Sequence, residues 1–501
     1  MARTYWGDLH SHCSISYGTG SLERALLAAA GHLDFAAITG HASWPDMPSD
    51  RARYGTVIDY HLEGFERLAR GWHDIQSQLE RHHRPGRFIP ILSSEWHSIA
   101  VGDHNVYFPN SEGPIPDGSD LAALTAAAPP GAIVVPHHVG YGPGARGIDW
   151  DAFDAERSPV VEIVSTHGAS DHGAGAIASY HTMGPFHAAG SIEEGLRRGH
   201  RFGVVGGTDH HAGYPGHHGG GRTAIVADTL TREAIFDALR ARRCYAATGD
   251  AIELAFEVDD FPMGAEGVGR RERRIAATAR GADAIVSLEL LRNGRVIATT
   301  RSDVHQVDPA TPRRWKLRLE WGWGETATRV DWRGEARVRG GRLVGVEPVF
   351  RGEEVIDPRD AHHDDASDEP AHALTHRDDE RVSWRSVTYG NPHPRVPSTA
   401  GIVLEIEGDA HTSIDVALND LHVSHAIAEL VHGSVAHRLR GWLSEALFLH
   451  RAVPDVCFSA GIDVRDGGEL AVDAYRVRVQ QANGERAWSS PIWIERRLRA
   501  T

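Results

Sequence analysis

One pattern constrains this chain more than any other: short apolar runs that end, again and again, in a histidine or a carboxylate. From Tyr5 to about Asp250 the order repeats as an apolar run, a polar cluster usually holding histidine, and then an amphipathic stretch. The runs are YWGDLH (5–10), FAAIT (35–39), FIPILSSE (88–95), HNVYFP (104–109), AIVVPH (132–137), VVEIVST (160–166) and FGVVGGTD (202–209). Strands alternating with helices predict an α/β fold. The helices are SLERALLAAAGH (21–32) with Ser21 as N-cap, the long periodic stretch from Ile58 to His82, and TREAIFDALRARR (231–243) behind a Thr cap.

The chemistry sits at the strand ends. His10 and His12 form an HxH pair, and residues two apart on a strand share a face. His41 follows FAAITG, Glu95 ends FIPILSS, and His104 opens HNVYFP. His137 and His138 follow AIVVP, His167 follows VVEIVST, and Asp209, His210 and His211 follow FGVVGGT. One HxH pair is weak evidence, because paired histidines also arise on exposed strands. Recurrence at successive strand ends is another matter, and the carboxyl ends of parallel strands are where a barrel builds its active site. Neutral imidazole with carboxylate is the ligand set of zinc, manganese or iron.

Composition narrows the chemistry further. Histidine occurs 33 times, whereas Lys316, in RRWKLRLE, is the only lysine. A P-loop needs its GK[ST] lysine and Schiff-base chemistry needs a reactive one, so both mechanisms are excluded. The net charge of −16 disfavours nucleic acid as a partner. Cys13, Cys244 and Cys457 are far apart, which indicates neither a disulfide framework nor a thiolate zinc site. No apolar run reaches the roughly 18 residues of a membrane helix. The opening MARTYWGDLHSH has no apolar core of a signal peptide, so a cytoplasmic location is expected.

The 501 residues allow about three domains, or two large ones. The second half alternates polar and apolar residues in segments such as AIVSLELLRNGRVIATT, GIVLEIEG and AYRVRVQQA, which predicts a β-rich, sandwich-like region. The expected division is 1–249 and 250–501. Within the second part, 357–395 is crowded with charge, histidine and proline and reads as a solvated insertion. The GW and LSEALFLHRAV pattern, near 441–453, reads as one helix. Trp442, Trp488 and Trp493 read as core, with a carbohydrate platform as the alternative.

The order DLHSH, ITGH, SSE, DHNVYF, VVPHH and GGTDHH resembles the signatures of the PHP (polymerase and histidinol phosphatase) superfamily, over roughly Gly7 to Gly249. The resemblance implies a distorted (β/α)7 TIM-like barrel and a metal-dependent phosphoesterase. It also implies the ligands: His10, His12, Glu95 and Asp209 for one cation, Glu95, His104 and His137 for a second, His41 and His211 for a third. Two departures bear on that third ion. Gly40 stands where relatives commonly have Asp, and Tyr17 or Gly18 stands where some have a further ligand. The expectation is therefore two to three divalent ions of manganese, zinc or iron.

Such a site needs no side-chain nucleophile, because paired cations activate water themselves. His138, His167 and Asp209 are the candidates for the acid that serves the leaving group. Substrate contacts are expected from Arg146 in PGARG and from His217, His218 and Arg222 in YPGHHGGGR, a run that suits either a phosphate cradle or a flexible lid. The substrate expected is a small or oligomeric anion, with a homo-oligomer left open. Two alternatives keep their place: an amide, ester or lactone hydrolase using the same site, and a non-catalytic glycan- or protein-binding module built on the β-rich half.

Overall fold

The computed structural model describes residues 2–172, 184–302, 308–324, 329–353, 367–389 and 397–496. Every apolar run of the first half forms strand. In chain order these are β1 (Arg3–Asp8), β2 (Phe35–Ala37), β3 (Gly40–Ser43), β4 (Ile89–Ile91), β5 (Ser93–Trp96), β6 (His104–Tyr107), β7 (Ile133–Pro136), β8 (Val160–Ser165), β9 (Gly168–Ala169), β10 (Gly203–Gly206), β11 (Arg222–Ala227) and β12 (Cys244–Ala247). Among the described residues, five α-helices lie between them: α1 (Leu22–Ala30), α2 (Arg51–His82), α3 (Leu121–Ala127), α4 (Ile192–Arg197) and α5 (Arg232–Arg240). Ser21 and Thr231 cap α1 and α5 through their hydroxyls, as their sequences predict. α2 begins at Arg51 rather than Ile58, because the Asp50 carboxylate accepts from the Ala52 and Arg53 amides and starts the helix early. The face of α2 carrying Leu68, Trp72, Ile75 and Leu79 packs on Leu22, Leu26 and Phe108, and each such side chain contributes about 1.5–3 kcal/mol on burial.

The architecture is mixed α/β with a large β content, and its strands are not closed into the (β/α)7 barrel that the family resemblance implies. β1 pairs in parallel with β2, and β2 with β4, but β1 pairs antiparallel with β11 on its other side. β3 and β5 lie parallel in a second sheet that continues antiparallel through β6 and β7, and β8 and β10 form a third with β9. The local cause is visible between β5 and β6. Only residues 97–103 connect them, too few for the crossover of a dozen or more residues that a parallel join needs. The runs 35–43 and 89–96 each split, passing from the first sheet to the second at Ile38–Thr39 and at Leu92.

The first sheet also crosses residue 249. β11 pairs with β12, and β12 pairs antiparallel with Arg486–Ser489 near the end of the chain. Two antiparallel sheets make up much of the second half, one centred on Arg313–Gly322 and Thr399–Gly408, the other on Val330–Arg339 and Arg381–Thr388. They share one core of Trp315, Trp321, Trp332, Trp384, Ile402, Leu404 and Ile414, which is the sandwich that the alternation predicts. Lys316 lies on a strand of it, 3.4 Å from Glu405.

Two local readings are corrected. Of the stretch read as a solvated insertion, 357–366 and 390–395 lie outside the described residues, whereas Ala373–Arg377 and Arg381–Thr388 form a β-hairpin. Val382 and Trp384 anchor it, supplying apolar burial that the surrounding charge conceals in the sequence. The segment near 441–453 is not a helix: Ala446–Leu449 is a strand, with Leu447 and Leu449 in the sandwich core. Trp488 and Trp493 are buried, but Trp442 is 83% exposed.

Candidate metal centre

The Glu95 carboxylate, at the end of β5, is the hub of the first half. Its Oε2 lies 3.4 Å from His12 Nε2, 3.5 Å from His41 Nε2 and 3.7 Å from His10 Nε2. Its Oε1 lies 3.3 Å from His137 Nε2 and 3.5 Å from His97 Nδ1. Asp209 adds a second carboxylate, with Oδ1 3.0 Å from His12 Nε2 and 3.3 Å from His10 Nε2. Ligand atoms of His10, His12 and Asp209 lie within 4.8 Å of one another, as do those of His12, His41 and His211. All of these side chains are buried except His211, which is partly so.

The strands explain the convergence. His41 pairs with Glu95 across the β3–β5 join, so their side chains leave the sheet on one face. Asn105 is Glu95's partner on β6, and Val135 is Asn105's partner on β7, so His137, two residues beyond, continues the same face. The register turns His104 the other way. It pairs with Trp96 and Pro136, its Nδ1 donates to the Gly102 carbonyl at 2.9 Å, and its ring meets the Trp96 indole edge. The structure thus places His104 apart from the Glu95 hub, since a one-residue offset on a strand reverses the face.

Partners outside the hub fix the rings. His10 Nδ1 is hydrogen-bonded to Glu162 Oε2 at 2.9 Å, which turns Nε2 toward Glu95 and Asp209. Gly207 makes room for this pair, since a Cβ there would lie 2.3 Å from His10 Cβ and 2.7 Å from Glu162 Oε2. Ser16 Oγ holds His41 Nδ1 at 2.9 Å, and His211 Nδ1 donates to the Asp209 carbonyl at 3.0 Å. Asp8, fully buried, accepts from the Thr208 and Gly216 amides and ties down both ends of the loop that carries Asp209. Asp209 has a φ of 54° and His138 one of 34°, conformations that cost non-glycine residues on the order of 1–3 kcal/mol and cluster at functional sites.

The electrostatics prepare most of these groups for a cation; His10 is the exception, because its burial is outweighed by Asp209 and Glu162, which raise it well above the ordinary imidazole value. Burial alone would raise the Glu95 carboxyl, but His41, His97 and His137 outweigh it and hold the group well below the usual carboxylate range. Asp209 is likewise held low, against its burial, by His10 and His167. Burial pushes His41 and His137 well below the ordinary imidazole value and His211 to about 3, so all three are neutral. Ionised carboxylate and neutral imidazole are the ligating forms. The donor set fits a divalent cation on a second count: His10 Nε2, Glu95 Oε2 and His137 Nε2 are buried with no hydrogen-bond partner, a state that buried polar groups rarely tolerate. At Gly40, a Cβ would meet Leu68 Cδ1 at 2.4 Å, so the position has an apolar wall.

A second polar group adjoins the hub. Asp103 Oδ2 lies 2.9 Å from His97 Nδ1 and 3.3 Å from His138 Nε2, and it pairs with Arg146. Burial would raise Asp103, but Arg146 first and His97 next keep it well below the carboxylate range. The Arg146 guanidinium also sits 5.7 Å over the Trp44 ring. His167 Nε2 lies 3.0 Å from Asp209 Oδ2, with Nδ1 2.7 Å from the Tyr141 hydroxyl. The remaining residues expected to contact substrate lie elsewhere, at the seam with the second half. His217 Nδ1 accepts from the Gly352 amide at 3.0 Å, His218 Nε2 donates to Asp250 at 2.9 Å, and Arg222 faces Glu347 at 3.5 Å. Within the glycine run Gly221 is close-packed, since a Cβ there would lie 2.4 Å from the Gly207 and Val164 carbonyls, whereas Gly219 borders open space.

His97, Asp103, Asn105 and Glu162 are the residues that sequence reasoning missed. Glu162 carried a signal, a carboxylate inside the apolar run VVEIVST, and His97 stands two residues after Glu95 on its face. Asp103 and Asn105 carried none beyond flanking His104.

No family model matches the chain. An uncharacterized protein of Chlamydia pneumoniae is 33% identical over 179 residues, covering 32% of this chain and 29% of that protein. An uncharacterized protein of Chlamydia muridarum is 30% identical over 188 residues, covering 33% and 30%. The chain thus spans less than a third of the length of the curated relatives it matches. Among solved structures, a two-domain protein from Bacteroides vulgatus containing a predicted PHP-like metal-dependent phosphoesterase is similar at 17% identity and a TM-score of 0.35. That alignment covers 61% of this chain and 82% of the other.

Proposed function

We propose that this protein is a metal-dependent hydrolase of phosphoesters, acting on a small or oligomeric anionic substrate. The observation that carries the reading is the buried Glu95 carboxylate ringed by five imidazole nitrogens at 3.3–3.7 Å, with Asp209 beside it. His10, His12, His41, Glu95, His137, Asp209 and His211 would hold two to three divalent ions of manganese, zinc or iron. When bound, such cations supply Lewis acidity and a water of lowered pKa. Glu162 and Ser16 orient the imidazoles of His10 and His41. His167 is the best-placed acid for the leaving group: its side chain is 16% exposed beside Asp209, and Tyr141 fixes its ring. His138 is the second candidate, steadied by Asp103.

An amide, ester or lactone hydrolase is the second reading. What favours it is that Arg146 and Arg222, the arginines expected to grip an anion, already face Asp103 and Glu347. Elemental mass spectrometry on protein purified without chelators, followed by a panel of phosphate mono- and diesters, separates these. The expected result is two to three metal equivalents and phosphate release that EDTA abolishes and added metal restores. Release of amine or carboxylate in place of phosphate supports the second reading. Fully loaded protein that cleaves neither class overturns both and leaves the binding-module reading.

A further inference from the structure

The loop carrying Asp209 and His211 is gripped from two sides. On the inner side the first half holds it: the His12 amide donates to the His210 carbonyl at 2.9 Å, Thr19 to His211 at 2.8 Å and Gly213 to His12 at 2.9 Å. On the outer side the grip comes from residues more than a hundred positions later, where the chain leaves the strand Arg342–Val349. The His218 amide donates to the Phe350 carbonyl at 2.9 Å. Arg351 Nη2 donates to His218 Nδ1 at 3.2 Å, and the Gly352 amide donates to His217 Nδ1 at 3.0 Å. The His217 ring stacks on His210 at 4.1 Å between centroids, and His210 stands between Asp209 and His211.

Hydrogen-bond inventory fixes the ring states. His217 Nδ1 and His218 Nδ1 both accept, so each ring is the neutral tautomer with its proton on Nε2. His218 spends that proton on Asp250. Segment 350–352 is itself anchored in the sandwich: His372 Nε2 donates to the Arg351 carbonyl at 2.7 Å and Nδ1 meets Ser386 Oγ at 2.8 Å. Contact with the loop is close enough to require glycine, because a Cβ at 352 would lie 2.6 Å from Tyr214 Cβ and 3.0 Å from His210 Cε1. Asp209 holds its left-handed backbone between these two grips.

We infer that Gly352 and Arg351, acting through His217 and His218, are positioning residues for Asp209 and His211, so that the second half completes the metal centre. The inference rests on the metal-dependent reading proposed above. It accounts for the burial of His217 and His218, which touch no ligand, and for the seam's hydrogen bonds converging on this loop.

The test is cobalt(II) titration of metal-stripped full-length protein, following bound metal per chain and the visible absorption of the ion. His217→Phe keeps the stacking ring and loses the Nδ1 acceptor, while His217→Asn restores an acceptor near that place. Gly352→Ala pushes directly on Tyr214 and His210. Expected are a cobalt affinity lowered about tenfold or more in His217→Phe and in Gly352→Ala, an altered spectrum, and recovery toward wild type in His217→Asn, with circular dichroism of the stripped proteins unchanged. If the wild type loads and His217→Phe matches it in affinity and spectrum, the positioning role is overturned and the metal reading stands. If the wild type takes up no cobalt, the metal reading falls and this inference with it. Should Gly352→Ala fail to fold, the two His217 variants decide the matter alone.

Discussion

The two halves bury polar atoms differently. In the sandwich, three of the four core tryptophans close their hydrogen bonds, Trp315 Nε1 to the Gly408 carbonyl, Trp321 Nε1 to Ser386 Oγ and Trp332 Nε1 to Thr388 Oγ1, all at 2.8–3.1 Å, and the open Trp384 Nε1 stands, among the described residues, apart from any cluster of titratable groups. In the first half, His10 Nε2, His137 Nε2 and Glu95 Oε2 are as deeply buried and remain open, with His10 Nε2 3.7 Å from Glu95 Oε2 and His137 Nε2 3.3 Å from Glu95 Oε1. Satisfied burial stabilises a fold; unsatisfied burial costs free energy and persists where something is to be bound. The difference singles out the hub as the candidate working part of the molecule.

Glu95→Gln is expected to have the largest effect. The amide keeps the shape of the carboxylate but gives up the charge toward which five imidazoles converge. Metal content should fall by at least one equivalent per chain, and hydrolysis should drop by roughly three orders of magnitude, as loss of a central electrostatic group does. Far-ultraviolet circular dichroism should be unchanged. Elemental mass spectrometry beside a turnover assay checks it, and full metal occupancy in the variant would erase the contrast between the halves.

Much of that contrast was legible in the sequence, and the part that was not has a physical cause. Strand runs and candidate ligands at their ends, such as His10, His12, Glu95, His137 and Asp209, show because burial forces apolar runs and polar groups interrupt them at their ends. The placement of His104 off the hub was not legible, because spacing along one strand says nothing about register against the next: the Glu95–Asn105 pairing decides which of two neighbours faces the hub. The splitting of one run between two sheets at Leu92, and the antiparallel joins that replace a barrel, depend on contacts distant in sequence. So does the seam, where His217 and His218 read as surface ligands until segment 350–352 packs over them.

A smaller effect is expected from pH on the structural half. Burial, aided by Arg385 and Arg351, pushes His372 down from its ordinary 6.5 to about 4. The folded state therefore keeps it neutral where the unfolded chain would take a proton. Its contribution to stability is full above pH 6.5 and is lost as pH falls toward 4, on the order of 2–3 kcal/mol. Denaturant unfolding of metal-stripped wild type and His372→Gln at pH 7 and pH 4.5 checks this. The wild type should lose the more on acidification, so the gap between the two narrows. A constant gap would mean that His372 is not held neutral by the fold.

The smallest effect belongs to Trp442, which sets the limit of the comparison. Trp488 and Trp493 are core, only 3% and 5% exposed, whereas Trp442 stands 83% exposed on the turn after Val435–Arg438. Its one polar neighbour in the ring contacts is Arg438, 5.6 Å from its centroid and 5.4 Å from that of Trp323. A cation–π contact this exposed contributes about 0.5–1 kcal/mol, so Trp442→Ala should shift the melting temperature by no more than about 2 °C and leave metal content untouched. A large destabilisation would show that the indole packs as its buried counterparts do. A fall in kcat/KM on an oligomeric substrate, with a small substrate cleaved as before, would instead give the sandwich a recognition role, and the division between a half that works and a half that supports would no longer hold.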